Sequence, residues 1–336
     1  GGSTVTKYII RRLLWSIPVL FFLILVVFVL MRAIPGGPFD FAGDKSLPPS
    51  VVRNLEAKYH LNDPIWKQFV DYLSGIVLRL DLGPSFRYRA RRVNEIISQT
   101  LPISAQLGIV AMILAVLIGI PAGIIAALRQ NTIVDYTATF IAIVGVSIPA
   151  IVMGPLLIWI FALPHDIGGW HYEPIFGVAR WGAKPPFFLG FLTLPDLEFW
   201  KYATLPAFTL GTAYSAYVAR LTRASLLQVI REDYIRTARA KGLTERVVIV
   251  KHALKNSLIP VVSIMGPIFA AVVTGTFVTE QIFAIPGLGK HFVTSIGNRD
   301  YPVVLGTSLL YGVFIVLANL VVDMLYAWLD PRIQYD

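Results

Sequence analysis

From Leu13 to Met31 the chain carries no charged residue. About 20 apolar residues are what a helix needs to cross the hydrocarbon core of a bilayer. Such stretches recur at 9–31, 101–127, 137–162, 203–222, 259–281 and 303–329. The expected fold class is therefore an all-α polytopic membrane protein with six transmembrane helices. Composition agrees: 56% of residues are hydrophobic and 15% charged, where a soluble domain carries about 25% charged residues.

The first stretch follows Lys7, Arg11 and Arg12, as the apolar core of a cleaved signal peptide would. That core should span about 7–15 residues and lead to a small-residue cleavage site. Here it is longer and runs into Arg32-Ala33-Ile34-Pro35, so it reads as a retained anchor behind a short tail at 1–8. Gly1-Gly2-Ser3, with no initiating Met, reads as an appended scar without function. A net charge of +9 would point to nucleic acid in a soluble protein. In a membrane protein it reflects positive inner loops, and no nucleic acid is expected. The absence of cysteine excludes disulfides, thiolate catalysis and thiolate-bound metal.

Lys and Arg divide evenly between the two sides, because the long segment 32–98 is rich in them, and long segments translocate largely regardless of charge. The acids fall mainly on the side opposite both termini, so the N- and C-termini are expected in the cytoplasm. Segment 32–98 should then be an extracytoplasmic helical piece. Asn62-Asp63-Pro64 is expected to open a helix with a capping side chain. Ile65, Phe69, Leu73, Ile76 and Leu80 follow at helical spacing. Residues 163–200, rich in Gly, Pro and Trp, read as an ordered outer loop. A five-helix core covers 99–329, with a cytoplasmic segment at 220–258 and a tail at 330–336.

Segment 220–258 is dense in Lys and Arg, from Arg220 and Arg223 to Lys251 and Lys255. A solvated loop explains charge alone. It does not explain Ala238, Ala240 and Gly242, which are small, or the apolar Leu243, Val247, Val248 and Val250 set among the charges. A helix, a turn at Gly242 with positive φ, and a second helix would make a crest where another backbone can approach.

Catalytic chemistry is missing. The nearest approach to a phosphate loop is Gly287-Leu288-Gly289-Lys290, with Ala284 and His291 where Gly and Ser/Thr are needed. No His-Glu-x-x-His and no Gly-x-Ser-x-Gly occurs. His165 and His171 stand six apart in a loop, as bystanders or as a weak metal pair; no metal is expected. Asp323, with Asn319 one turn before it, lies within the last apolar stretch. A mid-membrane acid is costly, so it must face protein or water. It reads either as a structural partner of Arg220 or Arg223 or as the relay acid of an autonomous proton-coupled carrier. After the fifth stretch come Glu280 and Pro286-Gly287-Leu288-Gly289, either an outer gate or an ordinary tight turn.

At 236–256 stand Arg236-Thr237-Ala238-Arg239-Ala240-Lys241-Gly242, nine residues, then His252-Ala253-Leu254 and Asn256. This resembles the coupling motif of binding-protein-dependent ABC importer permeases, Glu-Ala-Ala-x-x-x-Gly-x9-Ile-x-Leu-Pro. Arg236, Thr237, His252 and Lys255 depart from that pattern, and the departures are similar to the peptide-permease branch. Ile34-Pro35-Gly36, 57–65, Asp81-Leu82-Gly83-Pro84-Ser85-Phe86, Pro286-Gly287-Leu288-Gly289, Arg299-Asp300-Tyr301 and Asp330-Pro331-Arg332-Ile333 extend the likeness over nearly the whole chain. It most resembles the B-type membrane subunit of oligopeptide and dipeptide importers.

The resemblance implies a type I ABC importer permease in a bacterial inner membrane, not itself an enzyme, forming half of a translocation pathway. It implies a second homologous permease and an extracytoplasmic peptide-binding protein. Two cytoplasmic ATPases would bind ATP and Mg, leaving no cofactor in this chain. Arg236 to Leu243, with His252, Leu254 and Asn256, would couple to the ATPases. Relatives in that family also carry nickel, glutathione or oligosaccharides.

Overall fold

The computed structural model describes residues 2–39, 48–88, 90–167, 170–178 and 197–329. The apolar stretch 9–31 lies inside helix α1 (Gly2–Ala33). Segment 32–98 holds α2 (Pro49–Lys58) and α3 (Ile65–Arg79). Pro64, not Asn62 or Asp63, caps α3, and no side chain bonds its first amides. The Asp63 carboxylate is instead drawn to Lys67 Nζ, one turn on, at 2.8 Å. Phe69 and Ile76 of the expected stripe pack on Ile24 and Phe28 of α1, whereas Ile65 and Leu80 at its ends are exposed.

Next come α4 (Val93–Leu128), α5 (Ile133–Ser147) and α6 (Ala150–Phe161). The expected straight span at 137–162 is a pair of helices bent by 102°. Ile148-Pro149 causes the break: the ring of a proline clashes with a helical residue before it, and Ile148 takes φ −85° and ψ 111°. The segment read as an ordered outer loop at 163–200 contains an antiparallel hairpin, β1 (His165–Ile167) with β2 (Trp170–Tyr172). Its remainder, up to the start of α7 (Leu197–Val229), lies largely outside the described residues.

The chain continues through α8 (Asp233–Ala240), α9 (Glu245–Val247), a π-helical turn at Val248–Ala253 and α10 (Leu254–Ser257). Then follow α11 (Ile259–Val273), α12 (Phe277–Ile282), α13 (Leu288–Asn298) and α14 (Tyr301–Leu329).

Among the described residues four helices are long and apolar enough to cross a membrane: α1, α4, α11 continued into α12, and α14. The bent α5–α6 pair makes a fifth if counted as one span. Helix α7 has the length, at 33 residues, but not the apolarity. The reason is its position, since α7 and α4 form the most extensive helix pair of the fold. A Cβ added at Gly119 would lie 2.6 Å from Ser215 O, and one at Gly123 2.5 Å from Ala219 O. This Gly-x-x-x-Gly face lets the two backbones touch. Thr209, Ser215 and Thr222 of α7 are thereby buried in protein, and Thr209 and Ser215 donate to carbonyls of their own helix.

Polar contacts between distant segments sort the helix ends into two groups. At one end Asp323 of α14 meets Tyr8 and Arg12 of α1. There too Tyr326 of α14 bonds Ser263 of α11, and Arg223 of α7 holds Asp135 of α5. At the other end the buried Asp300 carboxylate accepts from the Ser85 hydroxyl and from the amides of Phe86 and Arg87. Arg299 reaches Gly37 O at 3.2 Å. Short motifs far apart in sequence, 81–86 and 299–301, thus meet in one knot.

Candidate functional site

The α8–α10 segment has two faces. Ile235 and Ala238 of α8 point inward, onto Val248, Ile249 and Ala253 of the π-helical turn and onto Ala127 and Leu226 at the ends of α4 and α7. Ala238 is 6% exposed, so it belongs to the seat of the segment and not to the crest expected of it. The outward face carries Arg236, Thr237, Arg239, Ala240, Lys241, Gly242 and Leu243, all exposed. Tyr234, Val247 and Val250 add exposed apolar surface among the charges.

The turn after α8 closes through Gly242, whose amide bonds Arg239 O at 2.9 Å. Gly242 takes φ +78°, and among the described residues nothing beyond its own chain neighbours lies within 4 Å of where its Cβ would be. Arg239 clamps the turn by donating from Nε and Nη2 to the two oxygens of Glu245, at 3.1 and 2.7 Å. These bonds hold the Glu245 carboxyl below its ordinary value and raise the Arg239 guanidinium. Asn256 Nδ2 donates to Tyr234 Oη at 2.9 Å, joining α10 to α8. His252 and Leu254 are half-buried, His252 within the π-helical turn. Such turns cost hydrogen-bond geometry and appear often at functional sites.

Glu280 is fully buried. Its Oε1 accepts from the Ser104 hydroxyl at 2.7 Å and from the Thr276 amide at 3.2 Å. Oε2 accepts from the Lys290 amide at 3.0 Å, and the Gly289 amide also bonds the carboxylate. Ser104 Oγ in turn accepts from the Leu288 amide at 2.8 Å. The first three amides of α13 are thus satisfied by side chains from α12 and α4, and a negative charge sits at a helix N-terminus, where the dipole favours it. Gly287 passes so close that a Cβ there would lie 2.3 Å from the Glu280 carboxyl carbon. Pro286 is exposed, while Gly287 and Gly289 are buried.

Asp323 does not meet Arg220 or Arg223. Its Oδ2 accepts from Tyr8 Oη at 2.9 Å and forms an ion pair with Arg12 Nη2 at 3.1 Å. Arg223 is spent on Asp135, both of whose oxygens it engages at 2.6 Å. Asn319 faces Gly266 of α11. His171 of the hairpin bonds Asp166 at 2.7 Å and Glu173 at 3.2 Å; the His165 side chain lies outside the described set.

Two family models cover this arrangement. Residues 5–108 match the N-terminal part of the binding-protein-dependent transport system membrane component. Residues 119–335 match the binding-protein-dependent transport system inner membrane component. The chain belongs to this family of transport permeases.

The oligopeptide transport system permease protein OppB of Escherichia coli (strain K12) is 45% identical over 98% of this chain and 99% of that protein. OppB of Haemophilus influenzae is 41% identical over 98% and 99%. The dipeptide transport system permease protein DppB of Bacillus subtilis (strain 168) is 40% identical over 98% of each. A chain of a solved amino acid ABC transporter matches at 17% identity and TM-score 0.44, covering 68% of this chain and 91% of that one. The permease is a multi-pass inner-membrane protein and a subunit of an ABC importer.

Two residues central to this geometry carry no signal in the sequence. Tyr8 and Ser104 are unremarkable where they stand, and each finds its partner across at least 176 positions. For Asp135 a signal existed: an acid beside an apolar stretch needs a partner.

Proposed function

We propose that this permease is one of two homologous membrane subunits of an ATP-driven importer of oligopeptides or dipeptides. The α8–α10 segment docks into a cleft of a cytoplasmic ATPase, which binds the ATP and Mg. An extracytoplasmic binding protein delivers the substrate. The observation that carries the reading is the two-faced coupling segment. Ile235 and Ala238 seat it on α4 and α7, so a force applied to the exposed crest around Ala240, Gly242 and Leu243 is delivered to the central helix pair. The oligopeptide and dipeptide permeases among the relatives support a peptide substrate over nickel, glutathione or an oligosaccharide. The ligand retained by the cognate binding protein distinguishes these.

Orientation follows the coupling segment. It lies at the end of the bundle that holds the start of α1 and the far end of α14, so a cytoplasmic ATPase requires both termini in the cytoplasm. The 280–289 turn is the outer gate and moves as one body with α13, because Glu280 binds the first turn of that helix. Asp323 is a structural acid, paired with Arg12, which disfavours an autonomous proton-coupled carrier.

Gly242→Val tests the coupling. A β-branched residue in the left-handed region costs about 1–2 kcal/mol, and the open surroundings of Gly242 leave membrane insertion intact. Transport and substrate-stimulated ATPase activity should fall together in an assembled complex. Leu243→Glu should do the same without touching the backbone. Wild-type coupled ATPase activity in both variants would sink the coupling role.

A further inference from the structure

We propose that a cavity between α1, α3 and the start of α14 binds the phosphate of a phospholipid headgroup. The cavity measures about 320 Å³ and is lined by Phe28, Arg32, Gln68, Tyr72 and Tyr301, among others. It lies at the end of the bundle opposite the coupling segment.

Arg32 makes the site. It stands in the last turn of α1, and its guanidinium is always charged. One face lies 3.5 Å from the centre of the Phe28 ring, and Tyr301 is 5.6 Å away. Nη2 donates to Gln68 Oε1 at 2.7 Å. Gln68 is itself fixed, because its amide nitrogen donates to Leu61 O and Asp63 O. Nη1 is buried and, among the described residues, bonds no protein atom. Among the described residues no carboxylate pairs with Arg32. The hydroxyl of Tyr72, which also lines the cavity, is likewise buried and, among the described residues, without a partner.

The Nη1 of a cation and a phenolic hydroxyl, both withdrawn from water and both without a partner among the described residues, ask for an anion with at least two acceptor oxygens. A phosphodiester has one charge and two free oxygens, and a guanidinium fork matches that geometry. Lys58 and Arg79 add positive charge at the cavity. Of the acids there, Asp81 is neutralised by Arg92, and Asp71 lies exposed at the rim.

The depth of the cavity selects the source of the phosphate. Arg32 terminates an apolar span, Thr6–Ala33, so it lies at the boundary of the hydrocarbon. Helix α3 turns Trp66, Val70, Val77 and Leu78 outward, each more than half exposed. A helix with an apolar outer face and a tryptophan belongs in the headgroup layer. A phospholipid can therefore enter sideways, headgroup into the cavity and chains along α1, where a soluble anion would have to cross the interface.

The test uses the assembled importer purified in mild detergent. Native mass spectrometry and phosphorus analysis measure the phospholipid retained after delipidation. Binding of added phosphatidylglycerol is then followed by the shift in melting temperature. Wild type should retain phospholipid and be stabilised by adding it back. Tyr72→Phe, which removes only the hydroxyl, should bind about tenfold more weakly, and Arg32→Gln about a hundredfold. Arg32→Lys keeps the charge but not the fork and should fall between them. Inorganic phosphate should neither stabilise the protein nor displace the lipid. Equal retention in Arg32→Gln and wild type, with the complex intact, overturns the proposal. So does a full response to inorganic phosphate, which would make this a site for a soluble anion.

Discussion

Glu280→Gln isolates the charge of the buried carboxylate, since the amide has the same shape. The carboxylate accepts from four donors, the Ser104 hydroxyl and the amides of Thr276, Gly289 and Lys290. A glutamine offers one acceptor oxygen. Turned toward Ser104 and Thr276 it abandons the two α13 amides; turned the other way it abandons Thr276 and the hydroxyl. Ser104 gains little by reversing: its second lone pair can accept from the new NH2, but its own proton then loses the acceptor that Glu280 supplied. Two buried donors are stranded either way, at about 1–3 kcal/mol each, and the new NH2 points at other donors. The favourable charge at the α13 N-terminus, about 0.3–1 kcal/mol, is lost as well. Against this, a neutral amide is less costly to bury than an ion without a cationic partner. The donors are backbone groups held in place, so the loss wins, and a net destabilisation of about 2 kcal/mol or more is expected. The assay is thermal unfolding of the purified complex, with uptake measured in parallel. Glu280→Gln should melt below wild type and transport poorly, and Glu280→Ala, which strands every donor, should melt lower still. If Glu280→Gln melts with wild type, the carboxyl enters the fold as a neutral acid that donates, and the charged reading fails.

Asp135→Ala removes one half of a pair whose carboxylate is 2% exposed. Arg223, at 29% exposure, is stranded only in part, so the loss should cost about 1–3 kcal/mol and lower the yield of assembled complex; unchanged yield and melting would refute the structural weight given to the pair. Asp323→Asn keeps a bond from Tyr8 or Arg12 and should retain most uptake in vesicles supplied with internal ATP and no proton gradient, whereas a relay acid would lose all of it. The Arg239–Glu245 clamp has a defined pH sense. The Glu245 carboxyl is held below 4.5 in the folded chain, so the clamp contributes fully above that pH and is lost as the pH falls through the depressed value. Both groups are largely solvated, which limits the effect to under about 1 kcal/mol. The protection factors of the 241–246 amides, with the intrinsic acid slowing of exchange divided out, should fall on acidification in wild type and be insensitive in Glu245→Gln.

The apolar stretches are legible because a bilayer imposes a length and a composition on whatever crosses it, and α1, α4 and α14 meet both. Two elements escape that logic for opposite reasons. The 102° bend between α5 and α6 falls in a stretch as apolar as any other, where only Ile148-Pro149 marks it. Apolarity reports the surroundings, whereas the proline acts on the backbone. Helix α7 is less apolar than a span exposed to lipid because its neighbours are α4 and α5; threonines and serines that satisfy themselves on their own carbonyls replace leucines there.

The coupling segment is legible for another reason: its turn must be made by Gly242 and its seat by small or apolar residues, so the pattern is local. The misplacement of Ala238 comes from the same locality. A small residue is equally suited to a crest that a partner approaches and to a seat where its own chain packs, and only the phase of α8 against α7 decides between them. The ion pairs are the least legible part. An acid within or beside an apolar stretch requires a partner by energetics alone, which identifies Asp323 as paired and would have identified Asp135. Which arginine serves which acid depends on helix order and rotation. Arg223 goes to α5, because α5 and α7 pack side by side at the coupling end. Asp323 is left to Arg12, because α14 packs on α1. The acids are thus fixed by the solvent and their partners by the topology, and only the first is written locally in the chain.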